Sequence, residues 1–305
     1  MKRPLIFGET LIDVFPDGSR NLGGASFNVA WHLKAFGLNP LLITRIGKDK
    51  HEEFILTHMK NWGMDLTGVQ LDPLHPTGEV IISFDPHQEP KFKIELNQAM
   101  DFIDQDQALS LIDDGSLFYH GTFITRSQTS QKTLQGILAQ KSVLRFVDLN
   151  IRPPFFDLEL AQQLIWGSSY LKVNETEFET VIHKKWSDNI QKHELNQRFQ
   201  VEHVFITRGD KTAFLVHKEM KVTETKPPQI NHFKTSVGAG DAFSAVCILG
   251  ISMNWPMDTI LSRACVFASS VCRLTGAVST DQHFYEMWRE EWEILPKEPH
   301  YFSLI

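Results

Sequence analysis

This sequence predicts an α/β fold built on a mostly parallel sheet, and three observations carry the prediction. Short apolar runs alternate with helical patterns almost from end to end, the signature of parallel strands joined by covering helices. One stretch breaks that rhythm with a period of two, which adds a small separate β element. The chain has 305 residues, 42% hydrophobic and 22% charged, enough to bury one large core of this kind or two modest ones.

The elements follow in order. "PLIFGE" (residues 4–9) is the expected first strand, and "GASFNVAWHLKAFG" (24–37) a helix ending at Gly37. "PLLITRIG" (40–47) is the next strand and "EEFILTHMKNWG" (52–63) its helix. Strands are then expected at "SLFYHG" (116–121), "LRFVDLN" (144–150), "SSYLKVN" (168–174) and "HVFITRG" (203–209), with helical stretches between them. Two long apolar helices near 238–251 and 257–274 close the pattern. The exception is "TGEVIISFDPHQEPKFKIEL" (77–96), whose alternation turns at "DPHQEP" and so predicts an antiparallel hairpin. "IDVFPDGSRNLGG" near the start could add strands to it, giving a lid from about 13–22 and 77–97. Such a sheet is either a cover that keeps water from a site or an edge elaboration without a role.

Composition excludes several functions. A formal net charge of −7 disfavours nucleic acid, which rewards concentrated positive charge, but leaves a magnesium-bound nucleotide open. Cys247, Cys265 and Cys272 are odd in number, lack CxxC spacing and lie in apolar helical segments. They are expected to be reduced core residues, and the compartment cytoplasmic. Glu9 and Asp13 interrupt the first apolar run too early for a signal peptide, and no run approaches the roughly 20 apolar residues of a membrane helix. His51 and His58 are seven apart and "HEEF" lacks the second histidine of HExxH, so "DKHEEF" is expected to be a solvated helix start. There is no GxxxxGK[ST] loop. "GAGDAF" also lies far from the first strand, which disfavours a dinucleotide fingerprint and therefore a dehydrogenase.

"TSVGAGDAFSAVCILG" (235–250) is the most informative stretch. Gly238 and Gly240 lack Cβ, so their amides can approach a bulky anion at a helix start, where unpaired N–H groups and a positive dipole end already lie. A turn before a core helix would look similar. Asp241, however, would sit beside any phosphate held there and repel it, a poor arrangement for binding alone. It makes sense if the carboxylate must take a proton from a hydroxyl that attacks the phosphate.

Other stretches offer partners. In "LGGASFN" (22–28), Gly23 and Gly24 precede a helix and Asn28 follows one turn in, with a donor and an acceptor for a hydroxyl. Asp13 follows the first strand, where open α/β sheets place ligands; it is either a polyol ligand or a turn carboxylate. In "FVDLNIRPPFF", Asp148 and Asn150 alternate at a strand end, and Arg152 could hold a phosphate or sugar oxygen or pair with a surface acid. In "LKVNETEFE", Asn174 and Glu177 could orient water around Mg²⁺, or form a helix cap, or both.

Taken together these stretches resemble the ribokinase-like, or PfkB, carbohydrate kinases, and among them fructokinases. The similarity runs over nearly the whole chain: "GETLIDVFP", "GGASFNVAWHLKAFG", "RIGKD", "DLNIRPP", "VNETE", "ITRGD" and above all "VGAGDAF", in order and spacing. The resemblance implies one kinase domain over 1–305, a three-layer α/β/α sandwich with a small β lid, ATP as donor and Mg²⁺. It implies Asp241 as catalytic base and the amides of Gly238, Ala239 and Gly240 as the anion hole. By the same resemblance Asp13, Gly23, Gly24 and Asn28 would hold the sugar with Arg152 as helper, Asn174 and Glu177 would lie near metal and phosphates, Glu177 through water, and Thr207 and Gly209 would line the nucleotide.

Departures from the family pattern carry expectations too. Thr235 and Ser236 stand where many relatives have an acid that helps bind a monovalent cation, so K⁺ dependence is expected to be weak or absent. Arg208 and Thr212 alter the stretch that meets the nucleotide, and Trp31 and His32 occupy positions where small apolar residues are common, affecting helix packing or the sugar pocket. The expected activity is ATP-dependent phosphorylation of a hydroxymethyl group on a fructose-like sugar. Ribose, 2-keto-3-deoxygluconate and nucleosides remain alternative acceptors. A silent sugar or nucleotide sensor on the same fold is the alternative of another class, disfavoured because a sensor needs no base. Lid strands that pair between subunits would make a homodimer.

Overall fold

The computed structural model describes residues 2–84, 90–187 and 192–294. Its first elements are β1 (Leu5–Phe7), β2 (Leu11–Val14), β3 (Arg20–Gly23), α1 (Ala25–Ala35), β4 (Leu41–Gly47), α2 (Glu52–Asn61) and β5 (Val69–Asp72). Then come β6 (Gly78–Phe84), β7 (Pro90–Ile94), α3 (Gln105–Ser110), β8 (Leu117–Gly121), α4 (Gln128–Gln140), β9 (Leu144–Asp148) and α5 (Leu158–Ile165). The rest are β10 (Tyr170–Asn174), α6 (Glu175–Ile182), α7 (Glu194–Phe199), β11 (His203–Thr207), β12 (Ala213–His217), β13 (Val222–Thr225), α8 (Ala239–Ser252), α9 (Met257–Val271) and α10 (Gln282–Glu291).

Nine strands make the central sheet in the order β13-β12-β11-β10-β9-β8-β1-β4-β5. All neighbours are parallel except β11 with β12 and β12 with β13. The strands are apolar on both sides because both faces are covered. In β1, Ile6 joins the core formed by α1, α8, α9 and α10, while Leu5 and Phe7 join the core under α4 on the opposite face. A third cluster, with Val147, Val173, Phe178 and Phe199, sits under α5, α6 and α7. Three layers result. Helix α8 is buried at every position from Ala242 to Ile251, as its nearly uninterrupted apolar sequence requires of a helix packed on several sides.

The 77–96 segment forms the hairpin β6–β7, and β2–β3 joins it in a second, four-stranded sheet of order β3-β2-β6-β7. The turn residues 85–89 lie outside the described residues. Both hairpins are antiparallel, but β2 and β6 pair in parallel.

One expectation is corrected here. "DKHEEF" starts α2 with Lys50, Glu53 and Phe54 exposed, but it is not solvated throughout: His51 is buried with Nε2 2.7 Å from Glu79 Oε1, and Asp49 accepts the Thr77 amide at 2.7 Å. The loop before α2 packs against the entry of β6, so these polar groups anchor the small sheet. Trp31 and His32 serve packing: Trp31 stacks on Trp62 at 4.4 Å between ring centroids, and His32 Nδ1 lies 3.0 Å from the Tyr285 hydroxyl. Burial pushes the His32 pKa down to about 3, so it is neutral. Cys247, Cys265 and Cys272 are free thiols, all buried. Among the described residues no helix is long and apolar enough to cross a membrane.

Candidate active site

The site is organised by the first turn of α8. Gly238 is its N-cap in the left-handed region, at φ 79°. A Cβ there would stand 2.5 Å from Ala277 Cα, so glycine is required both by conformation and by space. The Ala239 amide donates to Ser236 O at 3.2 Å; the next amides of the helix have no partner within it. Asp241 is half-buried and accepts a hydrogen bond from Asn28 Nδ2 at 2.8 Å, a contact that joins α8 to α1. The other end of that amide, Asn28 Oδ1, is buried without a partner, an acceptor left for a ligand hydroxyl. Burial raises the Asp241 pKa, the Asn28 bond opposes this, and the nearby Asp148 charge adds to the rise.

Asp13, on β2, lies against Gly23: a Cβ on that glycine would be 2.4 Å from Asp13 Oδ2. Burial, then repulsion from Asp241, pushes its pKa up to about 6 against the pull of Arg152. Gly24 is the N-cap of α1 at φ 102°, and a Cβ there would be 2.7 Å from Glu9 O. Both glycines thus make room for groups of the chain itself. Glu9 also satisfies the start of α1, accepting from the Ala25 amide at 2.9 Å and the Ser26 hydroxyl at 3.3 Å; burial raises its pKa. Arg152 is exposed, and its guanidinium acts on Asp13 and Asp241 through charge.

On the other side, Thr207, Gly209, Ala239 and Gly240 line a cavity of about 770 Å³ together with Phe243 and Cys265. Asn174 pairs with Thr207 across β10 and β11. It caps α6 while Glu177 bonds back, a complete capping box, so the cap reading of this pair is right. Glu177 is 5% exposed, and its two oxygens accept the amides of Ile151 at 3.0 Å and Asn174 at 2.8 Å. Neither Asn174 nor Glu177 reaches the cavity wall.

Two groups that sequence reasoning did not single out, Lys172 and Ser244, lie between these halves with Asp148, which the alternation at the end of β9 marks. Lys172 Nζ donates to Asp148 Oδ1 at 3.0 Å, and Ser244 Oγ donates to Asp148 Oδ2 at 2.8 Å. Burial works against the lysine charge, but Asp148 and Glu177 outweigh it and raise its pKa. Alternation in "YLKVN" marks Lys172 only as a polar strand residue; its burial comes from α8 lying across the strand.

A carboxylate held by an amide beside glycine-freed helix amides, with a cavity behind them and a second carboxylate in front, is the layout of a small-molecule phosphotransferase on a ribokinase-like fold. A fructokinase of Vibrio cholerae O395, solved with fructose, ADP and calcium, superposes with a TM-score of 0.81 at 18% identity over 94% of this chain and 98% of its own. Among sequence relatives, a fructokinase of Rhizobium leguminosarum bv. trifolii is 25% identical over 85% of this chain and 81% of its own. A 5-dehydro-2-deoxygluconokinase of Bacillus licheniformis is 24% identical over 83% and 81%. The family model for pfkB family carbohydrate kinases matches residues 6–283, and the chain belongs to that family.

Proposed function

We propose that this protein transfers the γ-phosphoryl group of ATP to a hydroxymethyl group of a fructose-like sugar. The observation that carries this reading is Asp241, fixed by Asn28 at 2.8 Å in the first turn of α8, where base and anion-binding amides share one element. The sugar hydroxyls fit Asp13 and the free Asn28 Oδ1, with Arg152 at the rim. The acceptor hydroxyl gives its proton to Asp241 as its oxygen bonds to the γ-phosphorus. The bond to the bridging oxygen breaks, and ADP leaves with that electron pair. Amides at Gly238 and Gly240, with that of Ala239 turned from Ser236 O, receive the charge spread over the phosphoryl oxygens. ATP fits the cavity past Thr207 and Gly209. The small sheet, 13–22 and 77–97, acts as the lid that keeps water from competing as acceptor. Magnesium carried with the nucleotide would neutralise its phosphates. Glu177, buried behind the cavity wall with each oxygen accepting one amide, would reach such an ion only through water, of which Mg²⁺ retains several.

ADP release from Mg-ATP with fructose, ribose, 2-keto-3-deoxygluconate and nucleosides tests the reading. Fructose is expected to give the highest kcat/KM; preference for a nucleoside would refute the acceptor class.

Two further results are expected. Asp13 must be ionised to accept hydroxyls, and its pKa stands near 6, so kcat/KM should be full above that value and fall as pH drops through it. Asp13→Asn should weaken the sugar KM and remove this limb; an identical limb in the variant would show that Asp13 is not its source. Thr235 and Ser236 supply no carboxylate beside the loop, so replacing K⁺ by tetramethylammonium should change kcat by less than about threefold, since no carboxylate desolvation is at stake. A collapse of activity in that buffer would show a cation site built from other groups.

A further inference from the structure

We propose that the Lys172 ammonium is a catalytic residue of this site, donating a hydrogen bond to the phosphoryl group as it passes from ATP to the sugar. The proposal rests on the kinase reading above and extends it to a residue outside the glycine loop. Lys172 is 6% exposed, on a strand of the central sheet. A Cβ on Gly240 would stand 2.9 Å from Lys172 Nζ. The missing side chain of Gly240 therefore makes room for an ammonium against the first turn of α8. That turn is the positive end of a helix, where a cation is repelled rather than favoured.

Neutralising Asp148 does not account for the arrangement. An aspartate and a lysine buried only to cancel each other are replaced by apolar residues at little cost. Asp148 accepts a hydrogen bond from one of the three ammonium N–H groups, at 3.0 Å, and its other oxygen accepts from Ser244 Oγ at 2.8 Å. Two N–H donors remain beside helix amides that also lack partners, so hydrogen-bond donors are left over for the oxygens of an anion. Gly240 lines the 770 Å³ cavity, which places these donors where a nucleotide's terminal phosphate would end. In the transfer, Asp241 takes the hydroxyl proton, the sugar oxygen bonds to phosphorus, and ADP departs with the electrons of the broken bond. Lys172 keeps its proton throughout. Its hydrogen bond strengthens as charge moves onto the phosphoryl and leaving oxygens, the condition for lowering the barrier rather than for binding alone.

The test uses Lys172→Met, Asp148→Asn and the double variant, which removes both members of the ion pair together, with folding of each checked by thermal melting. Turnover with fructose is measured together with calorimetric binding of Mg-ADP, alone and with aluminium fluoride plus fructose as a transition-state mimic. Lys172→Met and the double variant should each lose about 10²–10³-fold in kcat, the scale of one oxyanion donor. Their affinity for the fluoride complex should fall by a similar factor, with Mg-ADP alone changed by less than about threefold. Asp148→Asn should lose under about tenfold, because the ammonium stays. A double variant that recovers to within about tenfold of the parent, or an Asp148→Asn loss as large as that of Lys172→Met, would reduce Lys172 to a counter-charge and overturn the proposal. So would unchanged affinity for the fluoride complex. Lack of turnover by the unsubstituted protein with every acceptor would instead overturn the kinase reading, and this proposal with it.

Discussion

Asp241→Asn should lower kcat on the order of 10³-fold while leaving the sugar KM within about threefold, because it removes the base but keeps the shape around Asn28. The Asn28 bond at 2.8 Å goes to Oδ2, and an asparagine oxygen can still accept it. Stability should move the other way. Burial raises the Asp241 pKa above its ordinary 3.8, so the ionised side chain is disfavoured in the folded protein at neutral pH. The variant should therefore melt no lower than the parent at pH 7, and any gain should shrink as pH falls through the raised folded value and vanish below 3.8, where the carboxyl is protonated in both states. A variant that loses activity together with several degrees of melting temperature would point to a structural carboxylate instead of a base.

Gly238→Ala carries the second large effect. The residue stands at φ 79° and its new methyl would meet Ala277 at 2.5 Å. The backbone conformation alone costs about 1–3 kcal/mol, and relief of the clash must shift the loop that aims the anion-binding amides. Loss of about 10²-fold or more in kcat is expected. Gly115→Ala is the control, since Gly115 has φ 76° with open space around it and lies on a loop between α3 and β8. It should cost stability through strain yet leave kcat near the parent value. Equal losses of activity in the two variants would show that strain, not the geometry of the anion hole, is being measured.

Much of this was legible because parallel strands and their helices announce themselves locally. The runs at β1, β4, β8, β9, β10 and β11 fall where apolar alternation with helices puts them, and β6–β7 where the period changes to two. The edge strands β5 and β13 were harder: each has four residues, and the partly exposed "VTET" of β13 carries no apolar signal. Parallel pairing of β2 with β6 links segments far apart in sequence, which no local pattern encodes. Within the site, Asp241 and its glycines stand out because helix-start chemistry is local. Glu9 and Lys172 do not, since their positions depend on α1 and α8 crossing the ends of the strands, and the burial of His51 depends on the small sheet packing over it.

The most direct test of phosphoryl transfer to a hydroxymethyl group is phosphorus NMR of the product formed from Mg-ATP and fructose. The account predicts ADP together with a phosphomonoester resonance split into a triplet by the two methylene protons, absent with Asp241→Asn at equal protein. Orthophosphate alone, or a doublet from a ring-carbon ester, would contradict it.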